Sequence, residues 1–263
     1  MAYDYEHFKA DVYKLTDIDL NSYKEKQMKR RIETLYRRKG HSGFDTFMDA
    51  LKRDRDLLAE FVGYLTINVS QFYRNPEQWV FFEKTVVPYL RGKFGDRLRI
   101  WSSACSTGDE PYTIAMILAK YIPLNKVEII ASDIDDAVLA FAKNGVYSEK
   151  SLVDLPKDLL AKNFTKVDAT HYAISEEIKK HITFKKNNLL KDNYDKNLNM
   201  IVCRNVVIYF TDEAKDGVYR RFHRSLVDEG LLFIGSTEQI IRSKELGFES
   251  MATFFYKKVK TGA

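Results

Sequence analysis

From about residue 97 onwards, short apolar runs alternate with helical patterns along the chain. The apolar runs suit buried strands and lie at 98–101, 127–131, 200–203 and 231–234. The stretches between them repeat their apolar residues at helical spacing, at 111–121, 136–143 and 213–226. Strands that alternate with helices indicate a mainly parallel sheet covered on both faces. This part of the chain is therefore predicted to adopt an α/β fold.

A less regular stretch interrupts the alternation at about 145–186. It holds a helical pattern near 156–163 and two short strand candidates at 171–174 and 181–184. We interpret this stretch as a small antiparallel β-subdomain inserted between strands of the main sheet. The last apolar stretch, 248–259, predicts antiparallel strands at a sheet edge.

The amino-terminal part of the chain predicts helices joined by short links. Ser22 and Glu25 have the spacing of a capping box at a helix start. Apolar residues recur at helical spacing at 44–53, which predicts a further helix. We therefore predict a helical domain at 1–70 and the α/β domain at 71–263.

Positive charge is concentrated in one predicted helix. The chain carries a formal charge of +5, whereas residues 24–39 alone hold eight basic and two acidic residues, a net +6. Such clustering predicts an acidic partner docking on one element. The alternative is an ordinary solvated helix face. The candidate docking residues are Lys26, Arg30, Arg31, Arg37 and Arg38.

Composition excludes several classes of protein. The sequence has no apolar run of about 18 residues and no signal-like amino terminus, so we expect a cytoplasmic protein without membrane insertion. The two cysteines and five scattered histidines lack the spacing of a zinc site, and we expect no metal. Cys105 and Cys203 are interpreted as small buried thiols rather than catalytic groups.

The loop after the first strand is the strongest candidate for a binding site. Small residues from Ala104 to Gly108 let backbone N–H groups approach a ligand, and Asp109 and Glu110 begin the next helix. The loop has one glycine and lacks the G-x-G-x-x-G pattern, which argues against the diphosphates of NAD or ATP. A cofactor with a ribose, an adenine and a positive centre fits better, and S-adenosylmethionine has these parts.

Two further strand ends carry suitable polar groups. Asp133 follows the second strand and suits the hydroxyls of a ribose. Asn187 and Asn188 could read an adenine edge, and Arg204 with Asn205 follows a later strand. In open α/β sheets, ligands bind beyond the carboxyl ends of strands, where the strand order reverses. The alternative is that these acids only favour helix starts through the helix dipole.

Six blocks of the sequence, in order, resemble the CheR family, the chemoreceptor glutamate O-methyltransferases of bacterial chemotaxis. The blocks are TINVSQFYR (66–74), IWSSACSTGDEPY (100–112), ASDID (131–135), NLL (188–190), CRNVVIYF (203–210) and LFIGSTE (232–238). The resemblance implies an amino-terminal helical domain and a class I, Rossmann-like methyltransferase domain with a small β-insertion. It also implies S-adenosylmethionine as methyl donor.

By position, the resemblance implies a set of cofactor contacts. They are Asn68, Ser70, Arg74, Glu110, Asp133, Asn188, Leu189, Arg204 and Asn205. The family usually has threonine where Ser70 stands and glutamate where Asp109 stands; both changes keep the chemical group.

The implied reaction transfers a methyl group to a receptor glutamate and yields a methyl ester. A glutamate is already ionised at neutral pH, so the nucleophile needs alignment more than a strong base. A guanidinium suits the task of holding one carboxylate oxygen. Arg91 is the first candidate for this role, by its position relative to the loop, and Arg74 is the second.

The resemblance also identifies the partner as the cytoplasmic helical domain of chemoreceptors, and we expect a monomeric enzyme. Some family members use a glycine-containing loop to bind a pentapeptide at the receptor's carboxyl terminus. The matching stretch here, 165–175, has no glycine, which predicts an enzyme independent of that tether. A nucleic-acid methyltransferase and a non-catalytic adaptor remain the rival interpretations. The charge of −1 outside the basic helix speaks against nucleic acid.

Overall fold

The computed structural model describes residues 3–260, which form two compact units. The helical unit comprises the described residues up to Asn68 together with Val207–Gly217. The sheet unit comprises Val69–Val206 and the described residues from Val218 onwards. No helix among residues 3–260 has the length and apolar character required to span a membrane.

Four helices make up most of the helical unit. They are α1 (Tyr5–Thr16), α2 (Glu25–Arg38), α3 (Phe44–Arg53) and α4 (Arg55–Thr66). Phe8, Phe47 and Phe61 are fully buried, and each pair of these rings lies within 6.3 Å between centroids. Edge-to-face and offset contacts of this kind add to the free energy gained by burying the rings.

The predicted capping box at Ser22 is wrong. Helix α2 begins at Glu25 after Lys24, and no side chain caps it. The Ser22 carbonyl accepts a hydrogen bond from the backbone N–H of Thr211, and the Lys24 N–H donates to the Tyr209 carbonyl. Because Tyr23 and Lys24 are extended, the helix begins two residues later than the capping box predicts.

A seven-stranded sheet organises the sheet unit, in the order β6-β2-β1-β7-β8-β10-β9. Its strands are β1 (Leu98–Ser102), β2 (Val127–Asp133), β6 (Ile182–Lys186), β7 (Leu198–Cys203), β8 (Leu226–Ile234), β9 (Phe248–Ala252) and β10 (Phe255–Lys258). A second sheet, in the order β3-β5-β4, contains β3 (Val146–Ser148), β4 (Phe164–Lys166) and β5 (His171–Ile174). The remaining helices are α5 (Pro76–Phe81), α6 (Val87–Phe94), α7 (Asp109–Leu118), α8 (Asp136–Asn144), α9 (Lys157–Asn163), α10 (Glu176–Lys179) and α11 (Asp212–Ser225).

The first five strands of the main sheet are parallel, and their order reverses between β1 and β7. Strands β2 and β6 lie on one side of β1, and β7 and β8 lie on the other. Every residue of β7 is buried, as expected for a central strand covered on both faces. The polar groups that follow β1, β2 and β7 therefore meet at one edge, at a topological switch point.

The strand predicted at 181–184 does not belong to the insertion, so this part of the prediction is wrong. The segment forms β6, which pairs in parallel with β2 from Ile129 to Asp133. Three short strands, β3 to β5, make the separate antiparallel sheet. A four- or five-residue apolar run does not reveal its partner strand, since pairing is decided by distant residues. The antiparallel strands predicted in the tail are confirmed as β9 and β10, with β9 at the edge.

Candidate functional site

The loop after β1 is fixed to the end of β2 by backbone hydrogen bonds. The N–H of Cys105 donates to the Ser132 carbonyl over 2.8 Å. The N–H of Ser106 donates to Oδ2 of Asp133, also over 2.8 Å. Ser106 has a φ of 46°, a left-handed conformation that non-glycine residues rarely adopt. These hydrogen bonds therefore connect the loop after β1 to the end of β2 at the switch point.

Packing explains the single glycine of this loop. Gly108 has a φ of 90°, and a Cβ added there would lie 2.9 Å from the Ala142 Cβ and 3.0 Å from the Tyr147 hydroxyl. That hydroxyl donates to the Thr107 carbonyl at 2.6 Å. The side chains behind the loop thus require glycine, whereas the sequence suggested ligand approach as its reason.

Asp109 is a buried carboxylate at the start of α7. Its side chain accepts hydrogen bonds from the hydroxyls of Thr107, at 2.5 Å, and Ser70. The residue is 1% exposed. Burial raises the pKa of Asp109, and the two hydroxyls oppose this rise. Asp109 therefore attaches the segment that carries Ser70 to the loop.

Glu110, the residue after Asp109, is largely buried. Its Oε1 accepts from the Ser102 hydroxyl at 2.7 Å, and its Oε2 lies 3.6 Å from Nη1 of Arg204. Burial raises the pKa of Glu110, and the Arg204 guanidinium partly offsets this effect. The two oxygens thus have different partners at the carboxyl end of β1.

Asp133, the candidate ribose ligand, is 6% exposed. Its oxygens accept from the N–H groups of Ser106, at 2.8 Å, and Asp135, at 3.1 Å. Burial raises the pKa of Asp133, and these N–H groups lower it. Each carboxylate oxygen has two lone pairs, so both can accept a further bond from a hydroxyl.

Arg204 connects β7 to the segment before α5. Its Nη2 donates to the Arg74 carbonyl at 2.9 Å, to Oδ1 of Asn75 at 3.1 Å and to Oε1 of Gln78 at 2.9 Å. Asn75 is in the left-handed conformation, with a φ of 62°. Arg204 thereby holds the backbone of Arg74 at the carboxyl edge of the sheet.

Aromatic rings enclose the same guanidinium. Arg204 lies 5.2 Å from the Trp79 ring centroid and 4.8 Å from that of Phe233. Burial lowers the pKa of Arg204, and Glu110 raises it. A guanidinium in this setting stays charged because its ordinary pKa is so high. Its hydrogen bonds show that Arg204 positions other residues, and the cofactor contact that the resemblance implies for it stays a prediction.

Glu238 is a buried acid to which the sequence assigned no role. Its Oε2 accepts from the N–H groups of Gly235, at 2.5 Å, and Asn205, at 3.1 Å. Asn205, another candidate contact, takes the left-handed conformation, with a φ of 60°. The sequence feature that could have indicated this role is the position of the Glu238 carboxylate soon after the apolar run of β8. Gln78 was missed as well, and no local pattern marks it.

Asn188 and Leu189 begin the loop after β6. The Asn188 N–H donates to Oδ2 of Asp192 at 2.8 Å, and its Oδ1 accepts from the Leu190 N–H at 2.9 Å. The Leu189 carbonyl accepts from the Tyr194 hydroxyl and from the Arg221 guanidinium. The loop conformation is therefore fixed by its own polar contacts.

The candidates before α5 lie in a segment with few regular elements. Asn68 donates from Nδ2 to Oγ1 of Thr66 at 2.9 Å, within the helical unit. Arg74 is half-buried, and its Nη1 donates to the Val69 carbonyl at 3.1 Å. Ser70 reaches Asp109, as described above, so the structure brings Ser70, Arg74, Glu110, Asp133 and Arg204 into one connected network.

Arg91 lies elsewhere, and its placement contradicts the catalytic role expected for it. It belongs to α6, and its Nε donates to Oδ1 of Asp96 at 3.0 Å. Asp96 also contacts Lys126, and these two residues precede β1 and β2. Arg91 therefore lies at the amino ends of the strands, whereas the site lies at their carboxyl ends. The sequence position of Arg91 relative to the loop after β1 could not show at which edge of the sheet Arg91 lies.

The five candidate docking residues of α2 divide into two groups. Lys26, Arg30 and Arg37 are exposed and recur at helical spacing along one face. Arg31 donates to the Tyr64 carbonyl at 2.7 Å, and Arg38 contacts Glu60 at 3.4 Å. Arg37 also lies 3.9 Å from Glu33 on its own helix, so the two groups differ in that only the second has partners on α4.

Unpaired polar atoms at the switch point test whether a polar cofactor fits. Four of the buried side-chain atoms that lack a hydrogen-bond partner among the described residues lie here: Ser106 Oγ, Gln78 Nε2, Arg204 Nε and Glu238 Oε1. Such atoms cost free energy unless something pairs with them. Donors and acceptors beside buried carboxylates match the hydroxyl, amino and carboxylate groups of S-adenosylmethionine. The predicted buried thiols are also confirmed, since Cys105 and Cys203 are at most 1% exposed.

Comparisons with family profiles and with full-length relatives point to the same family. Residues 68–255 match the family profile described as CheR methyltransferase, SAM binding domain, and residues 3–66 match CheR methyltransferase, all-alpha domain. A chemotaxis protein methyltransferase of Listeria innocua is 40% identical over 255 residues, 97% of each chain. One of Borreliella burgdorferi is 33% identical over 259 residues, 94% of this chain and 91% of that one.

Solved structures resemble the chain more distantly. CalS10, an amino pentose methyltransferase from Micromonospora echinaspora solved with bound SAM, has a TM-score of 0.36 and 14% identity. The match covers 59% of this chain and 50% of that one. This likeness is too low to add to the assignment, which depends on the family profiles and the full-length relatives. The chain belongs to the CheR methyltransferase family, with the all-α domain followed by the S-adenosylmethionine-binding domain.

Proposed function

We propose that this chain methylates side-chain carboxylates of glutamate in the cytoplasmic helical domain of chemoreceptors and forms glutamyl methyl esters. The observation that carries the proposal is the network at the switch point, in a chain that matches this family over nearly its full length. Receptor methylation of this kind takes place in the cytoplasm, where we place the protein.

S-adenosylmethionine, when bound, would supply an electrophilic methyl group on a sulfonium. Asp133 would accept from the ribose hydroxyls, since its oxygens keep lone pairs beyond the bonds they accept from the N–H groups of Ser106, Ile134 and Asp135. Asn188 and Leu189 would line the adenine, and Asn68, Ser70, Glu110 and Asn205 would bind the polar groups. These assignments are those that the family resemblance implies by position, and the unpaired buried atoms of Gln78, Ser106, Arg204 and Glu238 support a polar ligand at the switch point.

Arg74 is the residue we propose to hold the acceptor carboxylate. Its backbone is anchored by Arg204, and its Nη1 bond to Val69 leaves further N–H donors on the guanidinium. A glutamate carboxylate is ionised at neutral pH and needs no base, so catalysis depends on alignment. A guanidinium that binds one oxygen would direct the other towards the methyl group.

Helix α2 supplies the proposed docking surface through three of its exposed basic side chains, Lys26, Arg30 and Arg37. Receptor methylation helices are rich in glutamate, and their charge is complementary to this face. Steering by such charges raises the association rate and weakens with salt.

We also propose that docking does not need the receptor's carboxyl-terminal pentapeptide. The loop between β4 and β5 is short and closed by its own bonds: Asp168 accepts from the N–H groups of Thr170, at 2.7 Å, and His171, at 2.8 Å. The Thr170 N–H, followed by His171, lowers the pKa of Asp168 to about 2. Calorimetry with the free pentapeptide should show no binding, and measurable affinity would contradict this part of the proposal.

The experiment that tests the function offers labelled S-adenosylmethionine to receptor membranes and, in parallel, to total RNA. We expect label in receptor protein, released by mild base because esters hydrolyse and methylated amines do not. Label in RNA would favour a nucleic-acid methyltransferase. Failure to bind S-adenosylhomocysteine in calorimetry would favour a non-catalytic adaptor.

A further inference from the structure

Of the six sequence blocks that resemble the family, the block LFIGSTE (232–238) contains none of the implied cofactor contacts. Strands β7 and β8 pair in parallel as far as Cys203 and Ile234. The segments that follow them, 204–206 and 235–238, therefore leave the sheet as neighbours at its carboxyl edge. Two residues of the second segment, Gly235 and Glu238, contact the backbone of the first.

Glu238 joins the two segments through backbone N–H groups. Its Oε2 accepts from the N–H of Asn205 at 3.1 Å and from the N–H of Gly235 at 2.5 Å. The N–H of Val206 also donates to this carboxylate. Glu238 is 6% exposed, so these bonds are largely shielded from water. A buried N–H that loses its acceptor costs free energy, which makes the carboxylate hard to replace.

Gly235 packs directly against the same asparagine. A Cβ added at Gly235 would lie 2.7 Å from the backbone N of Asn205 and 2.9 Å from its side-chain Nδ2. Both distances are too short for a Cβ contact, so any other residue at this position would displace Asn205. The backbone and the side-chain amide of Asn205 are thus both located by Gly235.

Asn205 needs such contacts to keep its conformation. Its φ of 60° is in the left-handed region, which costs free energy for a residue with a Cβ, although asparagine tolerates it better than most. Conformations of this kind persist where the surrounding structure imposes them, and they are common at functional sites. The backbone conformation in turn restricts the rotamers open to the side chain. Glu238 and Gly235 therefore fix the direction of the Asn205 amide.

From these contacts we propose that Gly235 and Glu238 are positioning residues for cofactor binding and act through Asn205. The proposal rests on the proposed function, in which Asn205 binds a polar group of S-adenosylmethionine. Neither positioning residue has to touch the cofactor: together they hold the turn after β7 in the conformation that presents Asn205. Disturbing either residue should therefore weaken cofactor binding beyond what a loss of stability explains.

Calorimetry with S-adenosylhomocysteine on the intact chain tests the role of Glu238. We expect Glu238→Ala to weaken binding about tenfold, because the turn loses its shared acceptor. Glu238→Gln keeps an oxygen that can accept the same N–H groups, and it should weaken binding by no more than about threefold. In methylation assays, Glu238→Ala should raise the KM for S-adenosylmethionine and leave the KM for receptor unchanged.

Gly235→Ala and Gly230→Ala form a matched pair that separates positioning from stability. A Cβ at Gly230 would lie 2.9 Å from the Val227 carbonyl oxygen and 3.2 Å from that of Leu198, at the amino end of β7. Both glycines are crowded, so both variants should lower the melting temperature. Gly235→Ala displaces Asn205 and should also weaken binding of S-adenosylhomocysteine about tenfold, whereas Gly230→Ala should change it less than about twofold.

Three results would overturn the proposal. The first is unchanged affinity in Glu238→Ala. The second is an equal loss of affinity in Gly235→Ala and Gly230→Ala, which would show that binding only follows stability. The third is a loss caused by Glu238→Ala that is the same with and without Asn205→Ala, since residues that act together give non-additive effects.

These measurements do not depend on the receptor. A wild-type chain that binds S-adenosylhomocysteine but methylates no receptor would refute the proposed acceptor and leave the comparison of the variants intact. A wild-type chain that does not bind S-adenosylhomocysteine would refute both proposals.

Discussion

At the scale of single residues, the site depends on a buried arginine. Arg204 donates to two acceptors in the segment before α5 and to Gln78 within α5, and it faces Glu110 at the end of β1. Burying a guanidinium costs free energy unless its N–H groups are paired. Nη2 makes all three of these bonds, whereas Nε has no partner among the described residues. In the proposed reaction the residue would act through Arg74, whose backbone it holds.

The first prediction concerns Arg204→Met. Loss of the charge leaves Glu110 and the Gln78 oxygen buried without this partner, so we expect the free energy of unfolding to fall by about 3 kcal/mol. Urea denaturation measures it. Arg91→Ala is the control, because Arg91 and Asp96 form a partly exposed pair whose loss costs about 0–1 kcal/mol. Arg91→Ala should also keep full methylation activity, and a large loss of activity would restore Arg91 to the site.

The second prediction concerns the pH dependence due to Asp109. Burial raises the pKa of Asp109 above the ordinary value of 3.8, so as the pH rises past about 4 the unfolded chain releases this proton before the folded chain does. Asp109 therefore lowers stability progressively as the pH rises through this window. Asp109→Asn removes this contribution, and its stability relative to the wild type should increase as the pH rises above about 4.

Asp96→Asn is the matched control for this measurement. Arg91 lowers the pKa of the exposed Asp96, so the group is ionised in both states throughout that window. The difference between Asp96→Asn and the wild type should stay constant with pH. A constant difference for Asp109→Asn would show that Asp109 titrates normally.

At the scale of elements, the loop between β1 and α7 requires glycine at one position. A Cβ at Gly108 would lie within 3.1 Å of Ala142, Tyr147 and Tyr112, and the φ of 90° is unfavourable for any other residue. We predict that Gly108→Ala lowers the free energy of unfolding by about 2 kcal/mol and weakens binding of S-adenosylhomocysteine.

Gly92→Ala gives the matched control for Gly108→Ala. Gly92 lies inside α6 with open space around the position of a Cβ. Alanine favours the helix there and should raise the free energy of unfolding by about 0.5–1 kcal/mol. If both variants changed stability equally, the close contacts at Gly108 would not explain its role.

The next prediction concerns the basic face of α2. We expect Arg30→Glu with Arg37→Glu to reduce receptor methylation about tenfold at low salt and less at high salt, because docking is electrostatic. Binding of S-adenosylhomocysteine should not change. Lys162→Glu, a reversal at an exposed residue of the sheet unit, is the control. Methylation rates that are insensitive to salt and to the double variant would exclude this docking surface.

Local sequence patterns predicted most of the helices and strands, but fewer of the pairings and contacts between them. The helix predicted at 44–53 is α3 with the same bounds, and the α/β fold class is confirmed. The pairing of β6 with β2 could not be predicted, because a short apolar run has the same appearance in either sheet. For the same reason the role of Gln78 beside Arg204 stayed hidden, since their contact joins residues 126 positions apart.

At the scale of the whole molecule, the two proposed tasks are assigned to different units. The helical unit carries the excess of positive charge, and the sheet unit carries the buried carboxylates at the switch point. In the proposed function, charge in one unit would select an acidic receptor, and positioned groups in the other would align the reacting atoms. An acceptor that is already an anion fits a site built on positioning.

Mass spectrometry of receptor incubated with the enzyme and S-adenosylmethionine tests the central claim most directly. We predict methyl groups on glutamate side chains of the receptor's cytoplasmic helices, and their removal by mild base. Arg74→Gln should remove most of this modification while S-adenosylhomocysteine still binds, as measured by calorimetry. Methyl groups on lysine or arginine, stable to base, would contradict the account.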